Sequence, residues 1–336
     1  MNLFKKAAIF GDIHFGLKGG SRIHNNDCEE FVIWFIDVAK KHGCETCIFL
    51  GDWHHSRNYT DISTLNYTVS NLERLNNSFE HCYFITGNHD LYYKDKREIH
   101  SLEFGKFLPN ISLINEITVI DNVSFIPWLV GDEWKRVHKL KSRYMFAHLE
   151  LPSFFMNANI RMPDHGQLNK DSFVNQEYVF SGHFHKRQTQ KNITYIGNAF
   201  PHNFSDAGDD NRGMMILEWG GEPTYYTWPN QPQYRVFYLS QVVTDPGALL
   251  KEKMNVKIIL DVPVSFEEAN FIKETFLKEF KLRELMIVPE KTQHNGVETT
   301  LDITFESIDK IVLEAIDSVE SNTYDNQLLT KLYRSL

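Results

Sequence analysis

The chain predicts an α/β fold, and three features of its 336 residues carry that prediction. Apolar runs of strand length alternate with stretches of helical periodicity. Five of the apolar runs end in short polar clusters: GDIH (11–14), GDWHH (51–55), GNHD (87–90), AHLE (147–150) and GHFH (182–185). Seven of the fifteen histidines fall inside these five segments, which uniform scattering would not produce. In open α/β sheets ligands bind beyond the carboxyl ends of the strands. The clusters are therefore expected along one edge of a sheet covered on both faces.

The elements follow in order. AAIFGD reads as a strand, and residues 27–42 as a helix with Phe31, Phe35 and Val38 on one face and Gly43 as its stop. TCIFLGD is a second strand, 60–76 a helix, and HCYFITGNHD, RYMFAHLE and YVFSGHFH later strands. Residues 220–248 collect Gly220, Gly221, Pro223, Pro229, Pro232 and Pro246 among aromatics, as an edge hairpin followed by a linker would. A new unit then begins. VKIIL is a strand, Ser265 with Glu268 makes a capping box for a helix to about 281, LMIV is a strand, and TLDITF points Leu301, Ile303 and Phe305 inward. In the tail, Ile308, Ile311, Val312, Ala315 and Val319 form one helical stripe; Leu328, Leu329, Leu332, Tyr333 and Leu336 form a second. The expected domains are 1–235, 250–305 and 306–336.

Composition narrows the class. The chain is 42% hydrophobic and 13% aromatic, enough for one large core and a smaller domain. No apolar run approaches the roughly 20 residues of a membrane span, and MNLFKKAAIF enters a strand without a signal-peptide pattern. A cytoplasmic protein with no membrane partner is expected. Cys44 and Cys47 form a CxxC at the entry to an apolar run, where buried strand cysteines are expected rather than a redox pair. A formal net charge of −9 argues weakly against nucleic acid. Two basic runs oppose it: KDKR with Lys94, Lys96 and Arg97 directly after GNHD, and WKRVHKLKSR with Lys135, Arg136, Lys139, Lys141 and Arg143. Either is a solvated surface or a set of phosphate contacts.

Asp12, His14, Asp52, Asn88, His148, His183 and His185 supply mixed oxygen and nitrogen donors for more than one cation. If Asp52 bridges, seven side chains give each of two ions four ligands and leave positions open for water and a phosphate oxygen. Two ions roughly 3.5 to 4 Å apart stabilise both the entering and leaving oxygens of an in-line phosphoryl displacement. The two histidines of GHFHK then each serve a different ion.

The series GDIH, GDxxH, GNHD, AHxE, GHxH resembles the calcineurin-like metallophosphoesterase superfamily over about residues 7–200. GDWHHSR, GHFHK and the later YIGNAFPHNF look like the SbcD / meiotic-recombination-eleven nucleases, and most like the nuclease subunits of T-even phage recombination endonucleases. The resemblance implies a β-sandwich flanked by helices, a small α+β capping domain and C-terminal helices. It implies one ion on Asp12, His14, Asp52 and His185 and the other on Asp52, Asn88, His148 and His183. His89 matches a histidine that contacts the scissile phosphate and assists the leaving group. His55 matches the histidine closing the second motif, with phosphate contact and support of a ligand as equal alternatives. Asp90, Asp37 and Glu150 are candidates to orient ligand histidines, and His54 is incidental.

The function so implied is a DNA exonuclease and endonuclease that processes double-strand ends for recombination and repair in the infected host's cytoplasm. Its cofactors would be two Mn2+, with Mg2+ or another divalent ion as substitutes; the donor set alone suits Mn, Fe or Zn. Its partners would be DNA, a second copy of itself in a homodimer, and an SMC-like ABC ATPase docked on the C-terminal helices. A small-molecule or nucleotide phosphodiesterase is the alternative enzyme, and a non-catalytic scaffold the alternative without chemistry. GDWHHSR and GNHD depart from the GDxVDRG and GNHE of protein phosphatases.

Overall fold

A computed structural model describes residues 2–156, 160–294, 297–300, 316 and 325–333. Two compact units divide the chain, Met1–Arg235 and Val236–Leu336.

The first unit contains two six-stranded sheets. One has the order β12-β11-β1-β2-β3-β4, from β1 (Lys6–Phe10), β2 (Thr46–Phe49), β3 (His81–Ile85), β4 (Ile111–Ile114), β11 (Gly213–Glu218) and β12 (Thr224–Thr227). Its β1 to β4 are parallel, and the β11–β12 hairpin closes one edge antiparallel. The other runs β5-β6-β7-β8-β10-β9, from β5 (Thr118–Ile120), β6 (Val123–Ile126), β7 (Tyr144–His148), β8 (Tyr178–Gly182), β9 (Gln188–Gln190) and β10 (Ile193–Tyr195).

Side-chain alternation sorts the strands into layers. Ala7 and Ile9 of β1, Ile48 of β2 and Ile85 of β3 meet Phe125, Phe146 and Phe180 of the second sheet in one buried cluster. Ala8, Phe10, Cys47, Phe49, Cys82 and Phe84 point the other way, against Phe31, Phe35 and Ala39 of the helix Arg22–Lys41 and Leu72 and Leu75 of the helix Ile62–Asn76. Met145, Ala147 and Val179 face outward from the second sheet under Phe154, Leu168 and Phe173. Each fully buried phenylalanine contributes about 1.5–3 kcal/mol, so the sandwich interface is the main restraint on how the sheets align. The two sheets form the β-sandwich that the resemblance implies, and only the placement of the clusters along one sheet edge is corrected: GDIH, GDWHH and GNHD follow strands of the first sheet, and AHLE and GHFH those of the second. All four cysteines are buried and free, as a packing role for the CxxC requires.

β13 (Tyr234–Tyr238), which begins in the last residues of the first unit, forms with β14 (Asn255–Leu260) and β15 (Glu284–Pro289) a sheet in which β14 and β15 are parallel. The crossover helix Phe266–Glu279 starts in the expected capping box, with Ser265 and Glu268 bonded reciprocally. β16 (Lys291–His294) and β17 (Val297–Thr300) make a hairpin. Residues 301–305 of the predicted strand and the stripe residues Ile308, Ile311, Val312, Ala315 and Val319 lie outside the described residues, as does Leu336. Within the second stripe, the helix Asn326–Tyr333 is described and its Leu328 is exposed.

Candidate two-metal centre

The loops leaving β1 and β2 continue the ladder past the strand ends. Asp12, His14 and Phe15 donate to the carbonyls of Gly51, Asp52 and Trp53 at 2.9, 3.1 and 2.7 Å. This pairing turns Asp12, His14 and Asp52 into one volume at left-handed backbone angles, φ 50, 54 and 61°. His183 after β8 is left-handed too, at 89°. Four strained residues of ligand type at one place are a mark of function. Close approach explains the leading glycines: a Cβ on Gly51, itself at φ 97°, would lie 2.5 Å from His148 Nδ1, and one on Gly87 would lie 2.2 Å from Asp52 Oδ1. Bonds between the sheets close the site. His183 N donates to Asp12 Oδ1 at 2.9 Å, and Trp128 N to the Thr86 carbonyl at 2.9 Å.

Asp52, Asn88, His148 and His183 form one half. His148 Nδ1 donates to the Leu50 carbonyl at 2.7 Å, which leaves Nε2 as the lone-pair nitrogen. That nitrogen faces Asn88 Oδ1 at 2.9 Å and Asp52 Oδ2 at 3.5 Å. His183 Nδ1 also lies 2.9 Å from Asn88 Oδ1, while its Nε2 points to Glu150 at 3.4 Å. Glu150 therefore touches His183, and that hydrogen bond holds its carboxyl below the usual range. Burial lowers His148 to about 4, so its ring stays neutral. Nitrogen and oxygen lone pairs aimed at one another suit a cation between them.

Asp12, His14 and His185 form the other half, beside the shared Asp52. His14 is buried with both ring nitrogens lacking hydrogen-bond partners, as does Asp12 Oδ2. His14 Nε2 is 3.7 Å from Asp52 Oδ2. Burial, then the Asp52 charge, pushes the Asp12 carboxyl well above its usual range. Burial works upward on Asp52 as well, yet His148, His89 and His183 together hold it below its usual range. Burial lowers His14, and His185 to about 4. Orphaned donors of this chemistry, around two carboxylates buried side by side, fit a pair of divalent ions. The sequence-based reading omitted His202, whose ligand-type nitrogen lies within 4.8 Å of those of His14 and His185. Its only signal was a histidine inside YIGNAFPHNF, at no recognisable ligand spacing.

His89 N donates to Asp52 Oδ1 at 2.8 Å, and its Nδ1 donates to the His55 carbonyl at 2.6 Å. Its Nε2 is thereby left for the cleft that His89 lines with His55, Arg57, Tyr59, Tyr92 and Lys94. The rings of His55 and His89 stack, centres 5.2 Å apart and 19° between planes. His54 is structural: buried, it meets Ser101 Oγ at 2.7 Å and Thr68 Oγ1 at 3.0 Å. Asp90 departs from its anticipated role. It orients backbone rather than histidine rings, accepting from the N–H groups of Asp52, Trp53, His54 and Gly87 at 2.8 to 3.2 Å. Asp37 is exposed on the helix Arg22–Lys41.

The basic residues separate. Lys94 lines the cleft beside His89, and Lys96 is exposed with its ammonium over the Tyr93 ring. Arg97 is only 9% exposed and is engaged by the Asn115 carbonyl and Glu133, which leaves it packed into the fold. Lys135 pairs with Asp132 at 2.7 Å, and Arg136 and Lys139 are exposed around the same short helix, Trp134–Val137.

Over 245 residues the chain is 27% identical to exonuclease subunit 1 of Enterobacteria phage T4, covering 68% of this chain and 70% of that protein. A protein of invertebrate iridescent virus 6 described as a phosphoesterase is 26% identical over 235 residues, 63% of this chain and 75% of its own length. Among solved structures, a dimetal phosphatase from Danio rerio covers 65% of the chain at 11% identity and TM-score 0.41, with 93% of its own chain matched. A Pseudomonas putida nuclease named MPE covers 64% at 15% identity and TM-score 0.30, with 84% of its own chain matched. No family model matches.

Proposed function

We propose that this chain, a two-sheet α/β fold 27% identical over 245 residues to a phage exonuclease subunit, is a metal-dependent DNA nuclease of the calcineurin-like metallophosphoesterase kind that hydrolyses phosphodiesters at a two-ion centre. The observation that carries it is the pair of donor clusters sharing Asp52, Asp12 with His14 and His148 with His183, the last two brought in by the second sheet. Asp12, His14, Asp52 and His185 would hold one ion, and Asp52, Asn88, His148 and His183 the other. When bound, the ions supply positive charge to the entering and leaving oxygens of the displacement. Mn2+ is the proposed occupant, with Mg2+ or another divalent ion able to replace it.

The protein's own groups position the substrate. His89 lines the cleft and is held through Nδ1 on the His55 carbonyl; as the imidazolium it would meet the scissile phosphate and pass its Nε2 proton to the leaving oxygen, becoming neutral. His55 flanks it. Arg57 and Lys94 line the same cleft, about 790 Å³ in volume, and give phosphate contacts; Tyr59 and Tyr92 offer faces for bases. Lys96, Lys135, Arg136 and Lys139 extend the basic surface outward, and Arg97 acts through packing. The likeness to a phage exonuclease subunit, 27% identical over 245 residues, supports the nuclease over a nucleotide phosphodiesterase.

The capping unit would guide DNA, and the tail from 306 to 336 would bind an SMC-like ABC ATPase. A homodimer is proposed too, supported by the outward stripe of Ile62, Leu65 and Val69, which are 87, 42 and 39% exposed. Among the described residues no helix is long and apolar enough to cross a membrane, and the cytoplasm is the proposed location. The test is hydrolysis of linear double-stranded DNA with Mn2+, Mg2+ or EDTA, beside a chromogenic phosphodiester. Activity confined to the small ester rejects the nuclease; activity on neither rejects catalysis.

A further inference from the structure

His202 has no role in the seven-residue ligand set, yet the fold fixes it with care. Its N–H donates to Asp206 Oδ2 at 2.9 Å, and its carbonyl accepts from the Tyr234 hydroxyl at 2.8 Å. Asp206 is in turn held by the buried guanidinium of Arg212 at 3.3 Å. Between these anchors the imidazole is 1% exposed, and its Nε2 has no hydrogen-bond partner. A buried polar atom left unsatisfied costs about 1–3 kcal/mol, a penalty that a bound ligand removes.

Geometry indicates what the ligand is. The ring centres of His14, His185 and His202 are 5.2, 5.3 and 5.3 Å apart, nearly an equilateral triangle. Imidazoles bound to one ion through nitrogens at about 2.1 Å have ring centres about 4.5 Å apart at right angles and about 5.2 Å apart at the tetrahedral angle. A second trio, His14, His55 and His89, is equally compact. It converges less well, because His55 and His89 stack face to face.

We propose that His202 is a further ligand of the ion held by Asp12, His14, Asp52 and His185, making that site nitrogen-rich and the two sites unequal. This rests on the two-ion reading above. Three imidazoles with two carboxylates favour zinc or ferrous iron over manganese, whereas Asp52, Asn88, His148 and His183 offer equal nitrogen and oxygen. One site then holds its ion tightly and selectively, and the other exchanges more readily.

The full-length protein is stripped with chelator and titrated with Zn2+ alone and Mn2+ alone, with bound metal counted by atomic emission. Wild type should take up two ions, with a tight step that prefers zinc. His202→Ala should weaken that step about tenfold or more and leave the other unchanged, and the visible spectrum of the Co2+-loaded protein should change at one site only. His202→Gln, which keeps volume and an oxygen donor, should still bind two ions but lose most of the preference for zinc; it decides the matter if the alanine variant does not fold. Titrations of both variants that match wild type overturn this inference alone. A wild type that binds fewer than two ions overturns the two-ion reading with it.

Discussion

Replacing Asp90 by asparagine tests how Asp52, the proposed bridge between the ions, is held in place. Its two carboxylate oxygens take four main-chain donors: Oδ1 those of Trp53 and His54, Oδ2 those of Asp52 and Gly87. Asparagine keeps one accepting oxygen and sets an amide NH2 against the other two N–H groups. Two buried donors are then orphaned at about 1–3 kcal/mol each, so the expected loss is about 2–6 kcal/mol. Burial and the Asp52 charge already push the Asp90 carboxyl up to about 7, against the pull of those N–H groups. Removing that charge relieves repulsion with Asp52, which places the net loss toward the lower end. Against a typical domain stability of about 5–15 kcal/mol the variant still folds, with a clearly lower urea midpoint. Because the donors from Asp52 and Gly87 flank the bridge, ion binding should weaken as well. Stability within about 0.5 kcal/mol of wild type, with unchanged metal affinity, refutes the argument.

The other expectations concern separate parts of the molecule. Asp52→Ala removes a donor from both clusters, so metal content should fall below that of wild type and hydrolysis to background; near-normal turnover ends the two-ion proposal. His89→Ser should keep both ions and DNA affinity while losing activity by about 10² or more, and an emptied metal site in that variant contradicts the role given to His89. Lys94→Ala should weaken DNA binding and reduce its salt dependence by about one charge, whereas Arg97→Ala should cost about 1–3 kcal/mol of stability by leaving Glu133 with the Val130 N–H alone, and spare the salt dependence. Deleting 306–336 should leave metal-dependent hydrolysis intact and abolish co-purification with the ATPase; retained capture, or an unfolded product, rejects the docking role.

Much of the site was legible because its physics is local. A glycine-led polar cluster at the end of an apolar strand can be recognised from a few residues, and that signal brought Asp12, His14, Asp52, Asn88, His148, His183 and His185 under consideration together. What escaped depends on distant partners. Strand pairing is non-local, so the periodicity of YMFAH and TCIF did not tell that they belong to different sheets. Arg97 reads as one more cation in a basic run until Glu133, 36 residues on, is found against it. Asp90 carries a carboxylate suited to bracing histidines, but the chain puts four amide donors closer. His202 becomes meaningful only when the fold carries it beside His14.

The division of the ligands between two sheets also constrains how the protein assembles. Residues from β1, β2 and β3 cannot meet His148 and His183 until the sandwich has closed, so a complete ion site is a late product of folding. Ions cannot nucleate the chain; they act afterwards, drawing the equilibrium toward the closed sandwich by mass action and raising the barrier to its opening. On the two-ion proposal, core positions between the sheets such as Phe146 and Phe180 would then influence ion affinity. A substitution there that lets one sheet slide on the other would first be noticed as faster ion release, before any loss of secondary structure.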